Sequence, residues 1–431
     1  MREILPESAL IDDSGRLSIG GCDAGELAGR FGTPLIVFDR ATFEARAEAY
    51  KRALPAERVF YAAKAFCCIA LCELAGELGL GLDVCSGGEL ATALAAGFPP
   101  ERIIFHGNNK SEAELAAARA AGVGRVVVDS FDELDRIAAA GLAAKLLIRV
   151  TPGVEAHTHE FVQTGQEDSK FGFTLAQGVA LEALRRAARI PGCELVGVHA
   201  HIGSQIFELA AYELAVERLC DLLARASDAF GGRARELNLG GGLGIAHTTD
   251  ELTPDPAEAV DRMAAVLARA CQARGLEQPA LALEPGRSLV GPACITLYRV
   301  GTVKHIPGVR TYVSVDGGMS DNIRPALYGA RYEAFLAERA DAPQGPRVTL
   351  SGKHCESGDV LIRDVHLPAD VAPGDLLCVP ATGAYTYSMA SNYNRVPRPA
   401  VVLVAGGEAT VIVERETERD LLRLDRKLAG A

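Results

Sequence analysis

The stretch VFYAAKAF, residues 59–66, runs from branched and aromatic residues into an ammonium at Lys64. Val59, Phe60 and Tyr61 read as a short strand. A lysine where such a strand ends either snorkels its charge to water or is kept as an amine for Schiff-base chemistry. Comparable polar residues recur along the chain: Asp83, His106 with Asn108, Asp129, Arg149, His201, the glycines 240–242 and Glu284. LNLGGGLGI (237–245) lacks the GK[ST] of a P-loop and the spacing of a dinucleotide fingerprint. Such a turn holds a phosphate on its backbone N–H groups, or is simply a tight turn. EPGR (284–287) adds Gly286 for close backbone approach and Arg287 for a charge-assisted contact with an anion.

A lysine amine, an anion site and a carboxylate at Glu284 together suit pyridoxal 5′-phosphate. That cofactor needs an amine to hold it, a phosphate cradle and a group that tunes its ring nitrogen. Glu284 would keep the pyridine nitrogen protonated, and His201, in HAHIGSQ, either stacks on the ring or is a satisfied loop histidine. Burial of Lys64 is expected to favour the neutral amine over its usual pKa of about 10.4. No metal is expected. Cys67, Cys68 and Cys72 have no second pair at zinc spacing, and HTHE (157–160) lacks the helical HExxH frame and reads as a polar turn.

These residues need a scaffold that gathers strand ends. Apolar strands are readable at 59–63, 81–85, 103–107, 126–130, 145–150, 195–200, 236–240 and 281–286. Between them lie alanine-rich segments of helical periodicity, such as SEAELAAARAAG, that often finish at a glycine. Eight strands alternating with helices predict an α/β fold, a (β/α)8 TIM-type barrel whose active site lies at the C-terminal strand ends. After residue 290 the rhythm changes to strands without long helices, which predicts an antiparallel β-domain. The expected division is residues 1–35 as N-terminal strands completing the β-domain, with a turn at Asp12 to Gly15, then 36–290 as the barrel and 291–431 as the β-domain.

The 431 residues are 48% apolar and 23% charged, with a formal net charge of −12 and no basic block. Nucleic acid and anionic membrane are thereby disfavoured as partners, and a small-molecule substrate is favoured. No apolar run approaches the roughly 18 residues of a membrane span. No signal or transit peptide is visible, and the eleven scattered cysteines read as reduced, mostly buried thiols. The expected location is cytoplasmic.

The motifs YAAKA, LDVCSGGEL, HGNNKS, HEFVQTGQEDSKFGF, HAHIGSQ, LNLGGGLGI, EPGRSLVGP, VDGGMSDNIRPALYGA, GKHCESGDVL and GAYTYSMASNYN occur in this order. In them the chain resembles the diaminopimelate decarboxylases, from about residue 30 to the C-terminus. They are barrel-type pyridoxal-phosphate enzymes of alanine racemase-like fold. The resemblance implies decarboxylation of meso-2,6-diaminopimelate to L-lysine and carbon dioxide, the last step of lysine biosynthesis. It implies Lys64 as the Schiff-base lysine, His201 as the ring-stacking residue and Glu284 as the partner of the pyridine nitrogen. Asp83, Ser204, Gly242, Gly286, Arg287 and Tyr385 fall at cofactor or substrate positions. Cys355 matches the proton donor and Glu356 the residue that binds the distal ammonium. Arg287, Arg324 and Tyr328 match those that hold the distal carboxylate. A homodimer in which Cys355 and Glu356 enter the partner's barrel is also implied.

The substrate's chemistry agrees, since two arginines would be misplaced in an enzyme whose substrate has no distal carboxylate. Cys355 is either a buried thiol or, in the apolar-poor loop KHCESGD, an exposed reactive one. Competing readings are a decarboxylase of ornithine, arginine or lysine, a racemase of the same fold, a non-catalytic pyridoxal-phosphate carrier, and a cofactor-free Schiff-base aldolase.

Overall fold

A computed structural model describes residues 2–154 and 169–428. HTHE (157–160) and residues 159–168 of HEFVQTGQEDSKFGF lie outside them. Eight short strands, Phe60–Ala62, Gly81–Val84, Ile103–Phe105, Arg125–Val128, Lys145–Thr151, Glu194–His199, Glu236–Asn238 and Ala280–Ala282, pair in chain order. Every pair is parallel. The ring closes where the Phe60 N–H donates to the Leu283 carbonyl (2.8 Å) and the Leu283 N–H to the Arg58 carbonyl (3.0 Å).

Parallel neighbours require crossovers, and the local sequence makes them helices with marked ends. Ser111 caps Glu112–Ala121 with a full capping box, and Gly122 ends it in the left-handed region that glycine enters without strain. Ser130 and Gly141 do the same for Phe131–Ala140, without the box. Phe60, Ile104, Val127, Leu147, Val196 and Ala282, one from each of six strands, form a buried cluster. Glu236, also buried, is held by Arg58 at 2.7 Å and Arg125 at 3.1 Å. The strands are thus fixed by packing and by a buried ionic cross-link.

The chain divides into two compact units, one of Ala45–Ile245 with Thr253–Leu289, the other of Met1–Glu44, Ala246–Leu252 and Val290–Ala431. In the second, a sheet runs in the order Val360–His366, Arg347–Ser351, Arg310–Val315, Cys294–Ile306, Leu35–Asp39, Ala400–Ala405, Glu408–Val413. Most of its pairs are antiparallel, as expected, but Arg310–Val315 with Arg347–Ser351 and Leu35–Asp39 with Ala400–Ala405 are parallel, so the sheet is mixed. Leu35–Asp39 also pairs with Cys294–Ile306. A barrel boundary drawn at residue 36 therefore moves past this strand, whose apolar run LIVFD finds its partners late in the chain.

Residues 10–23 form a small three-stranded antiparallel sheet turned at Asp12, whose carboxylate accepts from the Ser14 and Arg16 N–H groups. Its Leu17 and Ile19 pack into one core with Leu35, Val37, Ile295, Leu297 and Val402. Among the described residues no helix is long and apolar enough to cross a membrane.

Candidate active site

Lys64 follows the first barrel strand in a single turn, Ala63–Ala65. Its Nζ donates to Asp83 Oδ2 at 2.8 Å. The Lys64 side chain is 37% exposed while that of Asp83 is 1% exposed. The expected burial is therefore not found. The amine stands at a partly open strand end, with a buried carboxylate at hydrogen-bond distance.

Glu284 is the most tightly held group. Its Oε1 accepts from His106 Nε2 at 2.9 Å and from Asn238 Nδ2 at 2.8 Å, and its Oε2 from His199 Nε2 at 3.1 Å. Asn238 Oδ1 in turn accepts from the Gly240 N–H at 2.9 Å, tying the carboxylate to the glycine turn. Burial alone would raise the pKa of Glu284. The charge and hydrogen bonds offered by His106 and His199 outweigh it and hold the carboxyl well below the usual range. An ionised carboxylate only accepts, so both rings present Nε2–H to it. Burial lowers the pKa of His199, against the pull of Glu284. The ligand atoms of His106, His199 and Glu284 lie within 4.8 Å of one another, a set that a transition metal would also accept. Here both imidazoles are spent as donors to the anion.

His201 is half-buried, and its Nδ1 accepts from the Gly241 N–H at 3.3 Å. Burial, then the Lys64 and Arg149 cations, lower its pKa well below the ordinary value, so the ring is neutral. Arg287 is buried and donates from Nε and Nη2 to Ser204 Oγ at 3.3 and 3.0 Å. Glycine is required by space in the turn. A Cβ on Gly241 would lie 2.3 Å from the Glu284 carbonyl oxygen, and one on Gly242, at φ +114°, 2.3 Å from that of Gly203. Gly286 is also tight, a Cβ there meeting those of Ala62 and Ala65 at 3.0 Å.

The remaining candidates lie in the second unit. Cys355 and Glu356 are exposed, on the loop between Arg347–Ser351 and Val360–His366. Beneath them His354 is buried, with Nε2 at 2.8 Å from Ser320 Oγ and its N–H on Asp359 Oδ2 at 2.8 Å. The Cys355 N–H donates to Asn394 Oδ1 at 3.0 Å. Arg324 opens, and half-buried Tyr328 closes, the short helix Arg324–Tyr328. Tyr385 is half-buried at φ +59°, a left-handed backbone that a tyrosine adopts only under constraint.

In the barrel unit, then, the structure brings Lys64 to Asp83, Glu284 to the glycine turn and Arg287 to Ser204. His106, named only as a strand end, proves to be a direct partner of Glu284. His199 and Asn238 went unread, although the HAH pattern carried a signal: residues two apart on a strand share a face. The donor set fits pyridoxal phosphate, with a reachable primary amine, a carboxylate kept anionic with lone-pair capacity to spare, a neutral imidazole and a guanidinium beside a hydroxyl.

Comparison with known proteins agrees with this chemistry. Residues 40–291 match the family model described as "Pyridoxal-dependent decarboxylase, pyridoxal binding domain". The chain is 50% identical over 419 residues to the diaminopimelate decarboxylase of Bacillus subtilis, covering 95% of each protein. It is 48% identical over 436 residues to that of Mycobacterium leprae, covering 98% of this chain and 92% of that protein. Among solved structures, diaminopimelate decarboxylase from M. jannaschii in complex with L-lysine superposes with a TM-score of 0.90 at 35% identity, covering 98% of both chains.

Proposed function

The chain belongs to the diaminopimelate decarboxylase family, its reaction is the decarboxylation of meso-2,6-diaminopimelate to L-lysine and carbon dioxide, and we propose that Lys64, His201, Glu284 and Cys355 carry it on pyridoxal 5′-phosphate. The observation that carries this reading is the grip of His106, His199 and Asn238 on Glu284, in the same barrel unit as the Lys64 amine. A buried anion so furnished matches a protonated ring nitrogen. When bound, the cofactor supplies an electron sink for the pair left at Cα as the carboxylate leaves.

The chain's own residues do the rest. Lys64 supplies the amine that holds the cofactor covalently, and Asp83 keeps that amine in place between turnovers. His201, neutral, offers a flat face for the ring. Ser204, Gly242, Gly286, Arg287 and Tyr385 serve the cofactor phosphate and the substrate. Cys355 gives the proton that replaces the carboxylate at Cα, being the most exposed of the eleven cysteines. Glu356 binds the distal ammonium, and Arg287, Arg324 and Tyr328 the distal carboxylate, which is kept in the product.

Lys64→Ala tests the covalent role. Turnover and the cofactor's visible absorbance should vanish while circular dichroism stays native. Full activity with added pyridoxal phosphate would overturn the assignment. Carbon dioxide release from meso-diaminopimelate, lysine, ornithine and arginine tests the substrate; release from the first alone is expected. All eleven thiols are free, which suits a reducing compartment such as the cytoplasm. The assembly we propose is a homodimer with each active site built from two chains. Mixed Lys64→Ala and Cys355→Ala subunits should then recover about a quarter of wild-type activity, the share of random pairing that unites intact halves. No recovery after verified subunit exchange would rule out shared sites.

A further inference from the structure

Arg324 is buried, yet its nearest partners are not carboxylates. Its Nη1 donates to His247 Nε2 at 3.0 Å and to the Tyr332 hydroxyl in a shorter contact. His247 and Tyr332 are buried as deeply as the arginine. Their rings meet edge to face, with centroids 5.2 Å apart at 87°, and the guanidinium carbon lies 5.6 Å from the Tyr332 ring centre. Among the described residues these are the side chain's only hydrogen bonds, and Arg324 Nε is buried without a partner. Both hydrogens of Nη1 are therefore spent on neutral acceptors. What remains is the Nε–Nη2 edge, the side of a guanidinium that takes a carboxylate through two parallel bonds.

We propose that His247 and Tyr332 are positioning residues that set the specificity of this enzyme, by turning the Nε–Nη2 edge of Arg324 toward the distal carboxylate of the substrate. The inference rests on the reading of Arg324 given above and extends it to two residues that contact no substrate. It also assigns a protonation state. A nitrogen that accepts from an arginine carries no proton, so His247 acts as the neutral Nδ1–H tautomer. Protonating it removes the acceptor and sets a second cation against the first. The charged groups around it include Arg324 from the short helix and Glu251, whose carboxylate accepts from the His247 backbone N–H at 2.8 Å. Further out, Asp250 pairs with Arg331 at 3.1 Å and Glu333 accepts from Thr249 at 2.7 Å. The nearby acids are thus engaged with other donors, and the ring's role is to accept.

Lysine keeps the distal carboxylate of diaminopimelate, whereas 1,5-diaminopentane has none, so the two ligands separate carboxylate binding from everything else. In the holoenzyme, His247→Leu should weaken L-lysine binding and raise KM for diaminopimelate by about tenfold, the worth of one hydrogen bond from a charged donor. Both kcat and the affinity for 1,5-diaminopentane should stay within about twofold of wild type. His247→Gln, whose amide oxygen still accepts, should restore both values near neutral pH. It should also abolish the rise in KM expected of wild type on acidification. Tyr332→Phe, which keeps the ring and removes the acceptor, should act in the same direction as His247→Leu. Unchanged lysine affinity in both His247→Leu and Tyr332→Phe, with Arg324→Gln weakened, would overturn the positioning role while leaving Arg324 as the carboxylate ligand. Unchanged affinity in Arg324→Gln would overturn that reading and this one together.

Discussion

Glu284 and Cys355 differ in nearly every physical respect. Glu284 is buried and held by three side chains from three other barrel strands or strand ends. Cys355 is exposed on a loop, and what fixes it is backbone: its own N–H on Asn394, and its neighbour's N–H on the buried Asp359. A group whose charge must be constant is built into a parallel barrel, where strand ends converge and water is excluded. The thiol proposed above to exchange a proton stands on an exposed loop, where it can be reached. The barrel accordingly concentrates cooperative side-chain networks, which fail together when one member is removed.

The buried pair of Lys110 and Glu133 gives the strongest way to break that contrast. Lys110 Nζ lies 2.6 Å from Glu133 Oε1, and both side chains are 1% exposed. Lys110 also donates to the carbonyls of Gly107 (2.7 Å) and Val127 (2.8 Å), while Glu133 Oε2 accepts from the Asp129 N–H at 2.8 Å. The pair thereby ties the HGNNK loop, which begins at His106, to the following strand. Lys110→Met should cost about 3–5 kcal/mol, because it leaves the buried Glu133 carboxylate without its counter-ion. Adding Glu133→Gln should return much of the loss, since a neutral amide oxygen still accepts from Asp129. Urea unfolding of the two variants checks this, and a loss below about 1 kcal/mol for the single change would show that the barrel network is no more cooperative than a surface pair.

The same contrast explains what was legible in the sequence. Barrel strands are short apolar runs between capped helices, so local pattern located seven of the eight within a residue or two, and the last, read as 281–286, ends four residues earlier at Ala282; their polar ends supplied the candidate site. Leu35–Asp39 has the same local pattern, and it was placed in the wrong unit because its partners, Cys294–Ile306 and Ala400–Ala405, are fixed by tertiary packing. His247 and Tyr332 carry no local signal at all. They meet Arg324 only through folding, 77 and 8 residues away in the chain. The burial expected of Lys64 also failed, because strand position alone says nothing about the partner that Asp83 provides.

The smaller effect belongs to the β-domain and sharpens the comparison from its other side. Asp321 is buried, with Oδ1 accepting from the Gly318 N–H at 2.8 Å and Oδ2 accepting from the Tyr298 hydroxyl. Burial raises its pKa. The bonds from Tyr298 and Gly318 pull it down, the nearby Asp359 and Asp316 push it up again, and the result is about 7. Unlike Glu284, which is surrounded by donors, Asp321 is surrounded by other acids. In the unfolded chain it would lose its proton near the ordinary aspartate value of about 3.9. Between those two values the native state holds one more proton than the unfolded state, so stability is fully present below about pH 4 and is lost as pH rises through about 7. The slope is about 1.4 kcal/mol per pH unit within that window and flattens above it. Asp321→Asn cannot ionise, and its amide oxygen can still accept from Gly318. Its stability relative to wild type should therefore climb from pH 5 to pH 7 and level off beyond, as read from urea midpoints at each pH. A constant difference across that range would mean that Asp321 is ionised in the native state, and that the β-domain holds its acids as firmly charged as the barrel holds Glu284.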